Sequence, residues 1–496
     1  MTPNNFFKVD HAMKRTSFHR PMQNLKQIVA AVAVAVGSLA AAGSAQAAAQ
    51  IVIINANAPG VGFNETTPAT PVGGNNGTTL GQQRLIAFTY AANLWGAKLD
   101  SSVPITIQAS FEPLSCTASS ATLGSAGALE VFSDFPNAPK ADTWYPAALA
   151  NKLSGVDQSP TVADIRARFN SRLGLFPDCL PTSGFYLGLD GQHGAATDFV
   201  TVLLHEMGHG LGFQSFTDEE TGEYFAGTPA VWDHFMTDNR TNTKWIDLSE
   251  EARVANAVSG NGLSWDGPNV NAAVPGVLGA AGVVAISGSS AGNAAGRKAF
   301  GEASFGPRIT DNNVSGDIFP VVDQANGTGL ACTTLNATNA KAVKGHVALV
   351  DRGTCNFALK AANVQAAGAI AMIVADNAPG DPAGMSGDDP TITIPSVRIS
   401  QADGIAVKAR LAYRTRTASN VVATLFGDAS QLAGADSQKR ILMFTPTTFQ
   451  PGSSVSHYTT AASPNQLMEP SINGDLTHEV VPPKDLTLPL LKDIGW

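Results

Sequence analysis

The chain has 496 residues, enough for two or three domains, and its 44% hydrophobic content is ordinary for a globular protein. With 31 Lys+Arg against 40 Asp+Glu, a net charge of −9 and no basic cluster, the composition argues against a nucleic-acid partner. Only 14% of residues are charged, while 48 Gly and 29 Pro point to many turns and short strands.

The first 47 residues read as an export segment. Lys14, Arg15, Arg20 and Lys26 form a basic region, Ile28–Ala42 an apolar one, and Ala45-Gln46-Ala47 a small-residue cleavage site. No other stretch is long and apolar enough to span a membrane, so the expected product is a secreted or periplasmic protein beginning near Ala48. Gln50–Asn57 is a β-branched run and predicts a strand. Gln82–Leu99 carries apolar residues at helical spacing, and Val103–Phe111 alternates as a strand does. Pro146–Leu153 and Thr161–Leu173 read as short helices, the first with proline at its first position. Phe185–Leu189 reads as a strand leading to a helix capped by Thr197 or Asp198. Helices and strands in this order predict an α+β layout.

That last helix holds Thr201–Phe213, TVLLHEMGHGLGF. Within it, His205 and His209 lie four residues apart, on one helical face and about 6 Å apart along the axis. Two imidazoles so placed can grip one Zn²⁺ at ~2.0–2.1 Å. Glu206, next to the first of them, is placed to act as general base on a metal-activated water. Phe199–Leu204 is apolar, so the helix should be buried. Gly208, Gly210 and Gly212 predict close packing and a helix end near Gly212.

A catalytic zinc site needs a third protein ligand. In the extended motif HExxHxxGxxH, a glycine turn brings a third histidine round to the metal. Here that position is Ser215, a poor ligand. Asp218, Glu219, Glu220 and Glu223 read as a solvated acidic loop, and His234 is a reserve candidate. The first choice is His457, 248 residues beyond His209 and followed 11 residues later by Met468 in the turn LMEP.

This arrangement resembles leishmanolysin, a metzincin zinc endopeptidase with a remote third histidine and a methionine turn beneath the metal. The resemblance implies that His205, His209 and His457 are zinc ligands, Glu206 the base and Met468 the Met-turn residue. The chain departs from the family pattern at Tyr458, where a tryptophan is usual, and at Gln466, where a glutamate is usual. Tyr458 is also a candidate oxyanion donor, although packing is the simpler role.

From Asn269 the texture changes, with Ala, Gly and Val dominating through Gly296. Val343–Ile373 then reads strand, turn, amphipathic helix, strand. Thr391–Ser400 adds a strand and Gln401–Leu411 a helix. This unit carries no converging His/Asp/Glu set. The run GHVALVDRGTCNFALKAANVQAAGAIAMIV, followed by ITIPSVRIS and QADGIAVKA, resembles a protease-associated (PA) domain over about 269–427. Such domains are not catalytic and are expected to shape substrate access or bind partner proteins. The expected organisation is an export segment (1–47), a metzincin-like peptidase domain in two parts (48–268 and 428–496), and the PA domain inserted between them.

Export turns the four cysteines into a disulfide question. Pairing within each set, Cys116–Cys179 and Cys332–Cys355, is the simplest of three connectivities. By the resemblance, Cys332–Cys355 is internal to the PA domain. Structural Ca²⁺ is compatible with the Asp/Asn/Gly loops, but none has an EF-hand pattern. The expected substrates are proteins or peptides. The alternative is an inactive relative that binds or adheres through its PA domain, or a structural zinc protein.

Overall fold

The computed structural model describes residues 6–8 and 48–496, apart from 119, 182, 326, 381 and 388. The expected export segment lies outside the described residues except for a three-residue strand, Phe6–Lys8. No helix among the described residues is long and apolar enough to cross a membrane. The chain divides into two compact units, 279–433 and the remainder.

The unit outside 279–433 is built on a four-stranded sheet. Its strands are β1 (Ile51–Asn55), β2 (Ile105–Glu112), β3 (Gly124–Ala128) and β4 (Ile165–Asn170), in spatial order β1-β2-β4-β3. The first three in that order run parallel, while β3 runs antiparallel to β4 at the edge. Helix α1 (Leu80–Gly96) starts at Thr79, whose side chain accepts from the Gln82 N–H. It packs against α3 (Phe199–Gly210). Phe88, Phe111, Phe169 and Phe199 fill the space between helices and sheet, with ring centroids 5.2–5.7 Å apart for the pairs 88–169, 111–169, 169–199 and 111–199. Burying each such ring stabilises the fold by roughly 1.5–3 kcal/mol.

The expected helix over Thr161–Leu173 is instead the central strand β4. Ile165, Ala167 and Phe169 are fully buried, while Arg166 points outward. That period-two pattern is a strand's, and pairing on both edges overrides the helix-forming Ala and Arg residues. Helix α2 (Ala147–Ser154) also differs slightly, because Pro146 is its N-cap rather than its first residue.

Expected to begin the inserted unit, Asn269 falls in α4 (Pro268–Val277), which packs on the C-terminal helix Thr487–Ile494. Asp493 of that helix accepts from the Asn269 N–H at 2.7 Å and from Trp265 Nε1 at 2.9 Å. Ten residues given to the insertion by their composition are thus tied to the other unit.

Unit 279–433 contains one eight-stranded mixed sheet. Its strands are β5 (Ala280–Ser287), β6 (Gly296–Lys298), β7 (Phe300–Glu302), β8 (Val314–Pro320), β9 (Val347–Asp351), β10 (Ala371–Ala375), β11 (Ser396–Ile399) and β12 (Val422–Leu432). They are ordered β6-β5-β12-β8-β9-β10-β11-β7. In the parallel run β8-β9-β10-β11, α5 (Phe357–Ala366) connects β9 to β10, and α6 (Gln401–Leu411) follows β11 and leads to β12. Each face of the sheet has its own apolar core, one around Val347, Ile373 and Val407 and the other around Val350, Val364 and Met372. Consecutive apolar residues such as Ala371–Ala375 suit a strand buried on both faces. Cys332–Cys355 closes a loop within this unit, and Cys116–Cys179 closes one in the other.

Candidate metal centre

Helix α3 is buried along its whole length. Asp198 is its N-cap, but its side chain makes no capping bond to the helix backbone. Instead one oxygen accepts from Thr201 Oγ1 and His478 Nε2, both at 2.6 Å. The glycines of the motif are required by close approach. A Cβ on Gly208 would lie 2.8 Å from the sulfur of Met468, and one on Gly210 would lie 2.5 Å from Ile165 of β4. The helix ends at Gly210, and Gly212 takes φ +119°, turning the chain away.

The structure brings His205, His209 and His457 together. Their Nε2 atoms are 3.0 Å (205–209), 3.2 Å (209–457) and 3.3 Å (205–457) apart, and all three residues are fully buried. Each Nδ1 faces a backbone carbonyl: Leu467 at 2.7 Å for His205, Phe213 at 2.7 Å for His209, and Ser453 at 2.9 Å for His457. A carbonyl only accepts, so each Nδ1 carries a proton and Nε2 is the ring atom turned toward the centre of the cluster. Burial pushes the His205 imidazole down to about 4, which keeps it neutral at ordinary pH. A triangle of these edges leaves a point just off its plane within the ~2.0–2.1 Å reach of a Zn–N bond. The residues present therefore fit a metal ion held by three imidazoles with a coordination position open. Among the described residues this is the one group of three or more His, Cys, Asp or Glu side chains close enough to share an ion.

Glu206 is fully buried beside the triad. Burial pushes its carboxyl pKa well above the ordinary range, opposed by the Ala126 N–H and the charge of Arg168. Neither oxygen completes a hydrogen bond of full geometry. Gly124 of β3 lies directly against it, since a Cβ there would come within 2.8 Å of Oε1. Met468 is fully buried, and its carbonyl accepts from the Tyr458 N–H at 2.8 Å, which ties the His457 segment to the turn. The Tyr458 hydroxyl donates to the Leu486 carbonyl at 3.1 Å, and its ring packs edge-on to Phe213 at 4.9 Å. It is a packing residue whose hydroxyl proton is engaged by Leu486 and not offered to an oxyanion. Gln466 braces the same turn by accepting from the Leu486 N–H at 3.0 Å.

His234 is not in the cluster. Its Nε2 faces Thr143 Oγ1 at 3.1 Å, in the short helical turn Trp232–Phe235. Ser215, at the position of the missing third histidine, has a different task. Its hydroxyl donates to Asp233 Oδ1 at 2.7 Å, and its N–H donates to Ser456 Oγ at 3.1 Å, next to His457. Burial pushes Asp233 up to about 6 despite its bonds from Ser215, Ala230 and Thr217. Asp485 holds the turn from the other side, accepting from the Leu467 N–H at 2.7 Å. Sequence reasoning missed both aspartates. The one signal for them was a lone carboxylate set in an apolar run, VWDHF and KDLTL.

Residues 314–407 match the family model for the PA domain. Over 74 residues the chain is 45% identical to vacuolar-sorting receptor 2 of Arabidopsis thaliana, a match covering 13% of this chain and 12% of the receptor. Among solved structures it is similar to a zinc aminopeptidase from Bacillus subtilis (23% identity, 32% of this chain and 36% of that one, TM-score 0.21). It is also similar to an aminopeptidase from Aneurinibacillus sp. strain AM-1 (17% identity, 40% and 42%, TM-score 0.22). Likenesses at this level carry neither a fold nor an activity for the whole chain. The family match stands on its own: a PA domain is present within the unit 279–433.

Proposed function

We propose that this chain is an exported zinc endopeptidase of the metzincin type. The observation that carries the reading is the convergence of three buried imidazoles beside a buried carboxylate. A zinc ion held by His205, His209 and His457 would supply Lewis acidity, polarising a peptide carbonyl and making water easier to deprotonate. Glu206 takes the proton of the attacking water and passes it to the leaving amine. Burial raises the affinity of this carboxyl for a proton, which favours taking one from water. The Nδ1 bonds to Leu467, Phe213 and Ser453 hold the ligand rings in place, and Met468 supports the helix from below.

The PA domain is assigned to contacts with protein substrates or partners. A second reading, a binding protein without activity, draws on that domain's likeness to a sorting receptor. The intact Glu206 favours the enzyme. The test is hydrolysis of casein and of N-acetylated peptides by wild type and Glu206→Gln, with metal content measured on both. Expected are equal zinc stoichiometry and a loss of turnover of about 10²–10⁴-fold in the variant. Hydrolysis of free-amino peptides alone would mean an aminopeptidase. No hydrolysis by zinc-loaded wild type would leave the binding protein.

A further inference from the structure

The three histidines of the triad do not find their Nδ1 partners in the same way. His209 uses the carbonyl of Phe213 and His457 that of Ser453, each four residues away in its own segment. His205 uses the carbonyl of Leu467, 262 residues away. Two rings are thus oriented by their own stretch of backbone, whereas the third depends on where packing puts the turn Gln466–Glu469. An imidazole that can swing holds a ligand atom poorly, so whatever fixes the Leu467 carbonyl also fixes His205.

Asp485 is placed to do this. It is 3% exposed. Its Oδ2 accepts from the Leu467 N–H and its Oδ1 from the Thr487 N–H, both at 2.7 Å. Thr487 opens the C-terminal helix Thr487–Ile494, so one carboxylate satisfies an orphan donor of that helix and pins the residue whose carbonyl meets His205. Leu467 is then held at both ends, its N–H by Asp485 and its C=O by His205. Bonds to an ionised acceptor are roughly twice as strong as neutral ones. An amide cannot take this place. Asn would offer one acceptor and one N–H donor to two N–H groups, leaving donor against donor.

We propose that Asp485 is the positioning residue of the metal centre, setting the orientation of His205 through Leu467 and with it the retention of the ion. The inference rests on the metal half of the peptidase reading and not on hydrolysis.

The test uses the full-length mature protein, with zinc alone as the probe. Asp485→Asn is compared with wild type and with Asp493→Asn. The latter removes a carboxylate of the same C-terminal helix that bonds Trp265 and Asn269 instead of the turn. Zinc affinity is read by chelator competition, and the histidine Nδ1–H signals by NMR with isotope-labelled histidine. Asp485→Asn should bind zinc about 10–100-fold more weakly. It should shift the His205 Nδ1–H signal and leave those of His209 and His457 in place. Asp493→Asn should keep both readouts at wild-type values whatever it does to the melting temperature. A lowered melting temperature with unchanged zinc affinity in Asp485→Asn, or equal weakening in the two variants, would overturn the inference.

If Asp485→Asn does not fold, hydrogen exchange of the wild type decides. Coupling is reciprocal, so a brace that supports metal binding is itself supported by the metal. Zinc should slow exchange of the Leu467 amide more than that of Val270, whose N–H bonds Asp493. Equal slowing at the two would overturn the inference. Weakened zinc in Asp485→Asn, with no cleavage of casein by zinc-loaded wild type, would uphold the positioning role and overturn the peptidase. Cleavage by wild type with unchanged zinc affinity in the variant would do the reverse.

Discussion

At the scale of single residues, the centre depends on groups set one contact behind the histidines and Glu206. Gly124 is one. Gly124→Ala would drive a methyl into the Glu206 carboxylate, so turnover is expected to fall at least tenfold with metal content unchanged, read by casein hydrolysis and metal analysis. Ser215 is another, occupying the motif's third-histidine position yet bracing the His457 segment through Ser456. Ser215→Ala leaves buried Asp233 short of a donor and should cost about 1–3 kcal/mol in urea unfolding. His205 gives a pH signature. With a folded pKa of about 4 against an ordinary 6.5, the unfolded chain binds the extra proton first as pH falls. In metal-free protein, the stability gap between wild type and His205→Gln should be flat above pH 6.5 and should shrink between 6.5 and 4. The His205 ring signals should titrate near 4. The paired histidines and the glutamate were readable from five consecutive letters. Asp233 and Asp485 were not, because a buried carboxylate is defined by its partners rather than by its neighbours in sequence.

At the scale of elements, α3 is the clearest case of agreement between local pattern and fold, and its glycines show why. Their weakness as helix formers is offset by the approach of Met468 and Ile165 that only a missing side chain permits. Gly208→Ala is expected to destabilise by about 1–3 kcal/mol through overpacking and to weaken metal retention, measured by thermal melts and chelator competition. Strand β4 was misread because Arg and Ala favour a helix in isolation. Its two-residue alternation became decisive only with β2 on one edge and β3 on the other. In the unit 279–433, where turns bound short runs of aliphatic residues, the predicted α6 coincides with the observed Gln401–Leu411. Removing Cys116–Cys179, which spans 63 residues, should cost about 2–5 kcal/mol in denaturant unfolding.

At the scale of the whole molecule, two compact units, each with buried apolar residues of its own, predict two calorimetric transitions. Metal binds only the folded triad, so stripping it with a chelator should lower one transition and leave the other in place. An ion present at a thousand times its Kd stabilises by about 4.1 kcal/mol, which is large enough to resolve. A single transition shifting as a whole would mean that the units unfold together.

What the linear chain determined by itself was whatever lies within a turn of helix or a run of strand. That includes the spacing of His205 and His209, the apolar face before them, and the strand–helix rhythm of the PA domain. Four cysteines in two sets left three pairings open, and the structure selected Cys116–Cys179 and Cys332–Cys355. Only the tertiary structure decided that His457, 248 residues from His209, closes the triangle and that His234 stays outside it. Only it spent the Tyr458 hydroxyl on Leu486 and set Asp198 against His478 rather than against its own helix. The reason is physical. Local patterns record what each segment requires of its own backbone, whereas a site is made of distances between segments, and those are set by packing.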